Sequence, residues 1–313
     1  MNRSIIAIIL ITLLSLIMLS CSDDDNTTDI DDETMPGMVL IEAADAQFEM
    51  GSETDYEDES PVHNVSFGRD FWMDESEVTQ AEYDSVMTAA YADYILPDWN
   101  NPYGVGDEYP AYTLEWGDAV LYCNALSRFA GLDSVYSYTS ISGTPGNLCE
   151  LEDMTSDITK SGYRLPTEAE WEFAYRGNAT TDFYWGKDYD PYPANAADST
   201  EFNSNAVWYG NSWEYGGDDP QYGTHQVRSG LPNAYGLYDM SGNLWEWCHD
   251  WYSGYTADSQ IDPAGPESGS WHSIRGGSWA NHAEYLRATN RTFYAPCYYY
   301  YLIGFRTVLP VTD

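Results

Sequence analysis

The sequence predicts an α+β domain of irregular, coil-rich build, with short strands and two or three helices. Aromatic residues are frequent, 28 Tyr and 12 Trp in 313 residues, so core and surface alike draw on rings rather than long aliphatic runs. Helical spacing of apolar residues occurs only in a few short stretches before Gly177. Beyond it, Gly, Asn, Asp and Pro break the chain into short strands and loops, with no long helix and no internal repeat.

At the start, Arg3 precedes an apolar run over residues 5–19 that ends in Ser20 and Cys21, the pattern of a secretory signal. A cysteine at the cleavage point resembles a bacterial lipoprotein signal, which implies that residues 1–20 are the signal peptide and Cys21 the lipidated first residue. The alternative, a transmembrane anchor, needs about 20 apolar residues. Residues 21–37 are acidic and Thr-rich with few apolar side chains, and read as a tether that cannot fold alone. Within them Ser22-Asp23-Asp24-Asp25 resembles a surface-export signal of some Gram-negative lipoproteins, although any acidic linker looks similar. The expectation is a protein anchored by lipid to the outer membrane and facing the cell surface, with residues 38–313 as one domain.

Within that domain, residues 39–49 suit a strand, and an acidic loop then leads to Pro61-Val62-His63. Alternation resumes through Val65, Phe67 and Phe71 into Met73. Thr79 is an N-cap for a helix over residues 80–88. A second helix is expected over residues 116–129, where Ala119, Val120, Tyr122, Cys123 and Leu126 recur at helical spacing before Gly131. Thr167 and Glu170 form a capping box that opens a third, short helix.

Net charge is −39, from 12 basic against 51 acidic residues. Such a field repels nucleic acid and gathers cations, so DNA and RNA are excluded as partners. Most of this acidity solvates the surface, and calcium sites would use a few of the carboxylates. The cysteines Cys21, Cys123, Cys149, Cys248 and Cys297 form no CxxC and no zinc-type spacing, and a Cys123/Cys149 bridge is left open.

Several stretches occur in order: Phe48-Glu49-Met50-Gly51-Ser52, Glu77-Val78-Thr79, Gly162-Tyr163-Arg164-Leu165-Pro166-Thr167-Glu168, Asn233-Ala234-Tyr235-Gly236-Leu237-Tyr238-Asp239-Met240-Ser241-Gly242-Asn243-Leu244-Trp245-Glu246-Trp247, Arg275-Gly276-Gly277-Ser278-Trp279 and Gly304-Phe305-Arg306. Together they resemble the formylglycine-generating (sulfatase-modifying factor) family from about Met38 onward. The resemblance implies a C-type-lectin-like fold supported by structural Ca2+. Residues 239–247 themselves read either as an oxygen cradle for a hard cation or as a tight turn whose Glu246 is hydrogen-bonded in place. Carried over from the family, the ligands would be the side chains of Asp239 and Glu246 with the carbonyls of Gly242 and Leu244. A second, weaker family site would map to Asn195, Ala196, Asp219 and Gln221.

Catalytic members of that family hold copper with a cysteine three residues after the Ser of Arg-Gly-Gly-Ser and another five further on. Soft Cu(I) requires such thiolates. Here those positions are Asn281 and Leu286, so no copper is expected and the reading leans towards a non-catalytic member. Ser278 and Trp245, which match residues lining the family's oxygen pocket, then read as scaffold. The five histidines show no HxxxH spacing and no other catalytic constellation is present.

Between Trp279 and Ile303, framework residues (Ala283, Leu286, Arg287, Ala288, Asn290, Arg291, Pro296) alternate with Ala280, Asn281, His282, Tyr285, Thr292, Phe293, Tyr294, Cys297, Tyr298, Tyr299, Tyr300, Tyr301 and Leu302. This pattern resembles the variable region of diversity-generating retroelement target proteins, in which AAC codons become any NNC codon. Such codons cannot encode Lys, Glu, Gln, Met or Trp, and none of these stands at the thirteen positions. Tyrosines give rigid, amphipathic contacts at low entropic cost, and four in a row cannot all face inward from one strand. The expectation is a binding surface for a protein or glycan over residues 279–302. The alternatives are an ordinary non-catalytic relative, such as a structural lipoprotein of a gliding or secretion machine, and an oxidoreductase using another metal.

Overall fold

The computed structural model describes residues 35–99, 103–190 and 196–312. The signal peptide, Cys21, nearly all of the tether and Asn195 lie outside the described residues. The stretch 39–49, expected as one strand, forms two: β1 (Met38–Ile41) and β2 (Gln47–Met50). Asp45 between them sits at φ 61°, a left-handed conformation that breaks extended geometry, and the two strands join different sheets. The next alternating stretch likewise divides into β3 (His63–Ser66) and β4 (Phe71–Asp74).

Helix α1 (Gln80–Ala90) opens with a capping box: the Glu82 amide donates to Thr79 Oγ1 at 3.2 Å, and the Thr79 amide donates to Glu82 Oε2 at 2.9 Å. Helix α2 (Trp116–Ala130) ends at Gly131 in the left-handed conformation. Strands β5 (Tyr136–Ser137), β6 (Ser140–Thr144), β7 (Asn147–Glu152) and β8 (Thr155–Ser156) make two small ribbons, β5 with β8 and β6 with β7. Helix α3 (Glu168–Arg176) starts at the expected capping box on Thr167 and Glu170. Helix α4 (Ala196–Asn205) was not expected, because its only large apolar residue is Phe202 and no stripe marks it.

The remaining strands are β9 (Trp245–Trp251), β10 (Gln260–Ile261), β11 (His272–Arg275), β12 (Arg291–Tyr294), β13 (Ile303–Gly304) and β14 (Val308–Pro310). Three larger sheets result, in the orders β1-β4-β14, β10-β3-β2 and β12-β11-β9-β13. Strand β4 is central to the first, pairing antiparallel with β1 (Ile41 opposite Phe71) and with β14 (Val308 opposite Met73). In the third, β9 is buried along residues 245–250, with Arg275 of β11 opposite its Glu246.

Two apolar clusters dominate the core. One gathers α1, α2 and the ends of β9, β11 and β13 around Tyr83, Leu121 and Trp247, and the other surrounds α3 with Phe71, Trp171 and Leu237. Five buried arginines cross this interior, each matched to a carboxylate: Arg164 with Glu170, Arg275 with Glu172, Arg287 with Glu59, Arg291 with Glu168 and Arg306 with Glu246. In all of these but Arg275, which bonds Glu172 through one oxygen, the planar guanidinium meets both carboxylate oxygens.

Candidate functional site

Strand β12 emerges from the third sheet and gives way to a loop over residues 295–302, which returns to the sheet as β13. The four consecutive tyrosines therefore occupy a loop rather than a strand. At its return the backbone is pressed close: a Cβ on Gly304 would stand 2.6 Å from the Ala111 carbonyl and 2.7 Å from Leu244 Cδ1, so only glycine fits. This contact holds the end of the loop against the core.

All thirteen interchangeable positions are exposed or half-buried, whereas Leu286, Arg287, Ala288, Asn290 and Arg291 are buried and Ala283 and Pro296 are half-buried. The fixed residues are also fastened. Arg287 donates to Glu59 at 2.7 and 2.9 Å, Asn290 Nδ2 joins it at 3.1 Å, and Arg291 donates to Glu168 at 2.6 and 2.7 Å. Glu168 is fully buried, which works against its charge, yet Arg291 and Arg275 together hold its pKa below the ordinary glutamate value.

The aromatic side chains form a connected surface. Tyr294 stacks on Tyr298 with centroids 4.4 Å apart, Tyr300 contacts Tyr301 at 4.2 Å, and Tyr301 lies flat on Tyr103 at 4.2 Å. Trp213 and Tyr222 extend this patch through Trp279. Phe293, the outward residue of β12, instead meets Tyr252 and Trp271, while His282 meets Tyr209 and Tyr285 meets Tyr56. Sequence reasoning missed Tyr103, Trp213, Tyr222, Tyr252 and Trp271, which come from distant loops whose pattern carries no signal of where they fold.

The two positions that carry copper thiolates in catalytic relatives have different fates. Leu286 is 0 % exposed and packs in a cluster with Phe183 and Phe202. Asn281 is half-buried, and its Oδ1 accepts from Trp245 Nε1 at 2.9 Å and Ser278 Oγ at 2.5 Å. Its amide oxygen thus joins Trp245 and Ser278, the two side chains read as scaffold. Cys123, Cys149, Cys248 and Cys297 are all free, so the Cys123/Cys149 bridge is not formed, and only Cys297 is exposed.

At the start of β9, Glu246 accepts from Arg306 at 2.7 Å on each oxygen and from Trp171 Nε1 at 2.8 Å. Both of its oxygens thus accept hydrogen bonds, the arrangement of the tight-turn reading of residues 239–247. Asp239, at φ 58°, presents a buried Oδ1 without a hydrogen-bond partner, while its Oδ2 accepts from the Arg228 amide at 2.6 Å. Burial raises the Asp239 pKa to about 6. Nearby Glu77, which accepts from Asn243 Nδ2 and the Leu244 amide, is raised by burial and then by Asp239 and Glu246. This surplus of buried carboxylate over guanidinium fits a divalent cation held by Asp239 Oδ1 and the carbonyls of Gly242 and Leu244. No group of three metal-ligating side chains gathers among the described residues, so backbone oxygens would carry most of the coordination. Of the weaker set, Ala196 begins α4, and Asp219 Oδ1 accepts from the Gln221 amide at 2.9 Å.

No helix among the described residues is long and apolar enough to cross a membrane. The chain is 30% identical over 281 residues to Chaperone protein LppX of Paenibacillus barcinonensis, covering 84% of this chain and 83% of that protein. It is 38% identical over 154 residues to the formylglycine-generating enzyme of Thermomonospora curvata, covering 46% of this chain and 48% of the enzyme. The chain thus spans about half the length of that enzyme. Among solved structures, Treponema denticola variable protein 1 superposes with a TM-score of 0.68 at 31% identity, covering 87% of this chain and 94% of that one. The α+β architecture is the C-type-lectin-like fold expected from the sequence. The sulfatase-modifying factor enzyme 1-like domain matches residues 25–311, and the chain belongs to that family.

Proposed function

We propose that the protein is a lipid-anchored, surface-facing envelope protein that binds a macromolecular or glycan ligand through residues 279–302, on a scaffold steadied by calcium at Asp239, Gly242 and Leu244. The observation that supports this reading is that the positions compatible with NNC codons reach the surface, while Leu286, Arg287, Ala288, Asn290 and Arg291 between them are buried, with Arg287 and Arg291 ion-paired. Such a division lets the face change while the fold does not. Similarity to a variable protein supports the diversified form of the reading. The direct test is the DNA downstream of the gene. A reverse transcriptase and a near-copy of the last coding segment, with adenines at the interchangeable codons, are expected, and their absence removes the diversified reading.

The similarity to a chaperone favours a second reading, in which the same aromatic face holds a client polypeptide. The two separate on one experiment. A glycan or folded-protein ligand binds the native chain at a fixed stoichiometry, whereas a chaperone suppresses aggregation of several unrelated unfolded proteins.

A further inference from the structure

Two adjoining cavities, of about 380 and 350 Å3, share a wall built from a three-ring stack. The His272 imidazole lies between the indoles of Trp116 and Trp251, with ring centroids 3.8 Å from each. His272 Nδ1 faces two carbonyl oxygens, of His249 at 3.1 Å and Asp250 at 3.2 Å. Carbonyls only accept, so Nδ1 carries the hydrogen and Nε2 holds the lone pair. That Nε2 is buried without any hydrogen-bond partner, on a residue 1 % exposed that lines both cavities. Burial keeps the ring neutral, pushing its pKa down to about 3, with His249 adding to the effect.

An unmet acceptor buried beside open space is costly unless something donates to it. The surroundings say what would. Glu150 and Glu152 line one cavity and Glu267 the other, and no Lys or Arg lines either. Met154 and the two indoles supply apolar wall. We infer that this double cavity binds an organic ammonium ion on an apolar body, its N–H donating to His272 Nε2 and its charge balanced by Glu150, Glu152 and Glu267. An anion would meet only like charge. The site goes beyond the tyrosine face, of whose interchangeable residues only Cys297 lines it, so it stands or falls separately from that reading.

The test titrates the full chain at neutral pH with benzylamine and with its uncharged isostere benzyl alcohol, followed by indole fluorescence and calorimetry. Saturable benzylamine binding is expected, with benzyl alcohol at least ~10-fold weaker, a difference of about 1.4 kcal/mol. His272→Phe keeps the ring stack and removes the lone pair, and should weaken benzylamine to a similar degree. Glu267→Gln, at an exposed position, should weaken it several-fold and keeps the test valid if the first variant misfolds. A lysine peptide blocked at both ends distinguishes sources: binding as tight as benzylamine assigns a protein side chain, and weaker binding assigns a free amine. Equal affinity for benzyl alcohol, absence of saturation, or benzylamine affinity unchanged in Glu267→Gln overturns the inference.

Discussion

Replacing Leu286 by Ala should damage this protein more than replacing two tyrosines of the adjoining loop. Leu286 is 0 % exposed and packed among Phe183, Phe202 and Ala206. Truncating such a leucine costs about 2–5 kcal/mol through lost burial and the cavity left behind. In a domain of this size each kcal/mol moves Tm by roughly 2–4 °C, so a fall of roughly 4–20 °C is expected. Tyr298 and Tyr299 are 37 % and 49 % exposed. The contact most at risk is the stack of Tyr298 on Tyr294, whose rings lie 6° from parallel, and such a pair contributes about 0.5–1.5 kcal/mol. The double variant Tyr298→Asn/Tyr299→Asn should therefore lose only about 1–6 °C. Calorimetric melting of both variants beside the parent chain decides the matter. If the tyrosine variant falls as far as Leu286→Ala, the face is structural and the division between fixed and interchangeable residues is wrong.

Arg306→Met leaves the buried Glu246 charge without its guanidinium, and should cost about 3–5 kcal/mol by denaturant unfolding, most of it regained in Arg306→Met/Glu246→Leu. Calcium removal by chelation should lower Tm, since a ligand held at about 100 times its Kd stabilises by about 2.7 kcal/mol; Asp239→Ala should melt at the same temperature with or without calcium. Asp250, raised to about 8 by burial and by Glu168, stays protonated when folded and ionises when unfolded. Its contribution is therefore present at low pH and lost as pH rises from about 4 towards 8. Asp250→Asn, which still accepts from the Glu168 amide, should gain stability over the parent across that window in melts at successive pH values, and a constant difference would refute the assignment.

The sequence carried most of the helical skeleton, because Thr79, Thr167 and Gly131 act locally on the residues beside them. Within residues 279–302 the apolar and arginine positions 286–288 and 291 were legible as framework, and they are buried. It did not carry α4, whose apolar content is too low to show a period, nor the split at Asp45, which depends on which sheet each strand joins. For Glu246 the sequence left two readings open, a cation ligand and a hydrogen-bonded turn residue. Only folding brings Arg306 within 2.7 Å of it, and a carboxylate looks the same in sequence whether it meets a metal ion or a guanidinium. The His272 stack draws its three rings from α2, β9 and β11, a meeting that no spacing announces.

Strand β14 follows the aromatic loop in the chain, yet it pairs with β4, which also holds β1. The domain is thus a ring closed by its two distant ends, with the changeable stretch threaded just before the clasp. Any new side chain in residues 279–302 that prevents β14 from reaching β4 leaves Phe71 and Met73 with an open edge and exposes the core behind them. An open edge of this kind invites aggregation, so the integrity of the whole domain hangs on how the aromatic loop delivers the last strand.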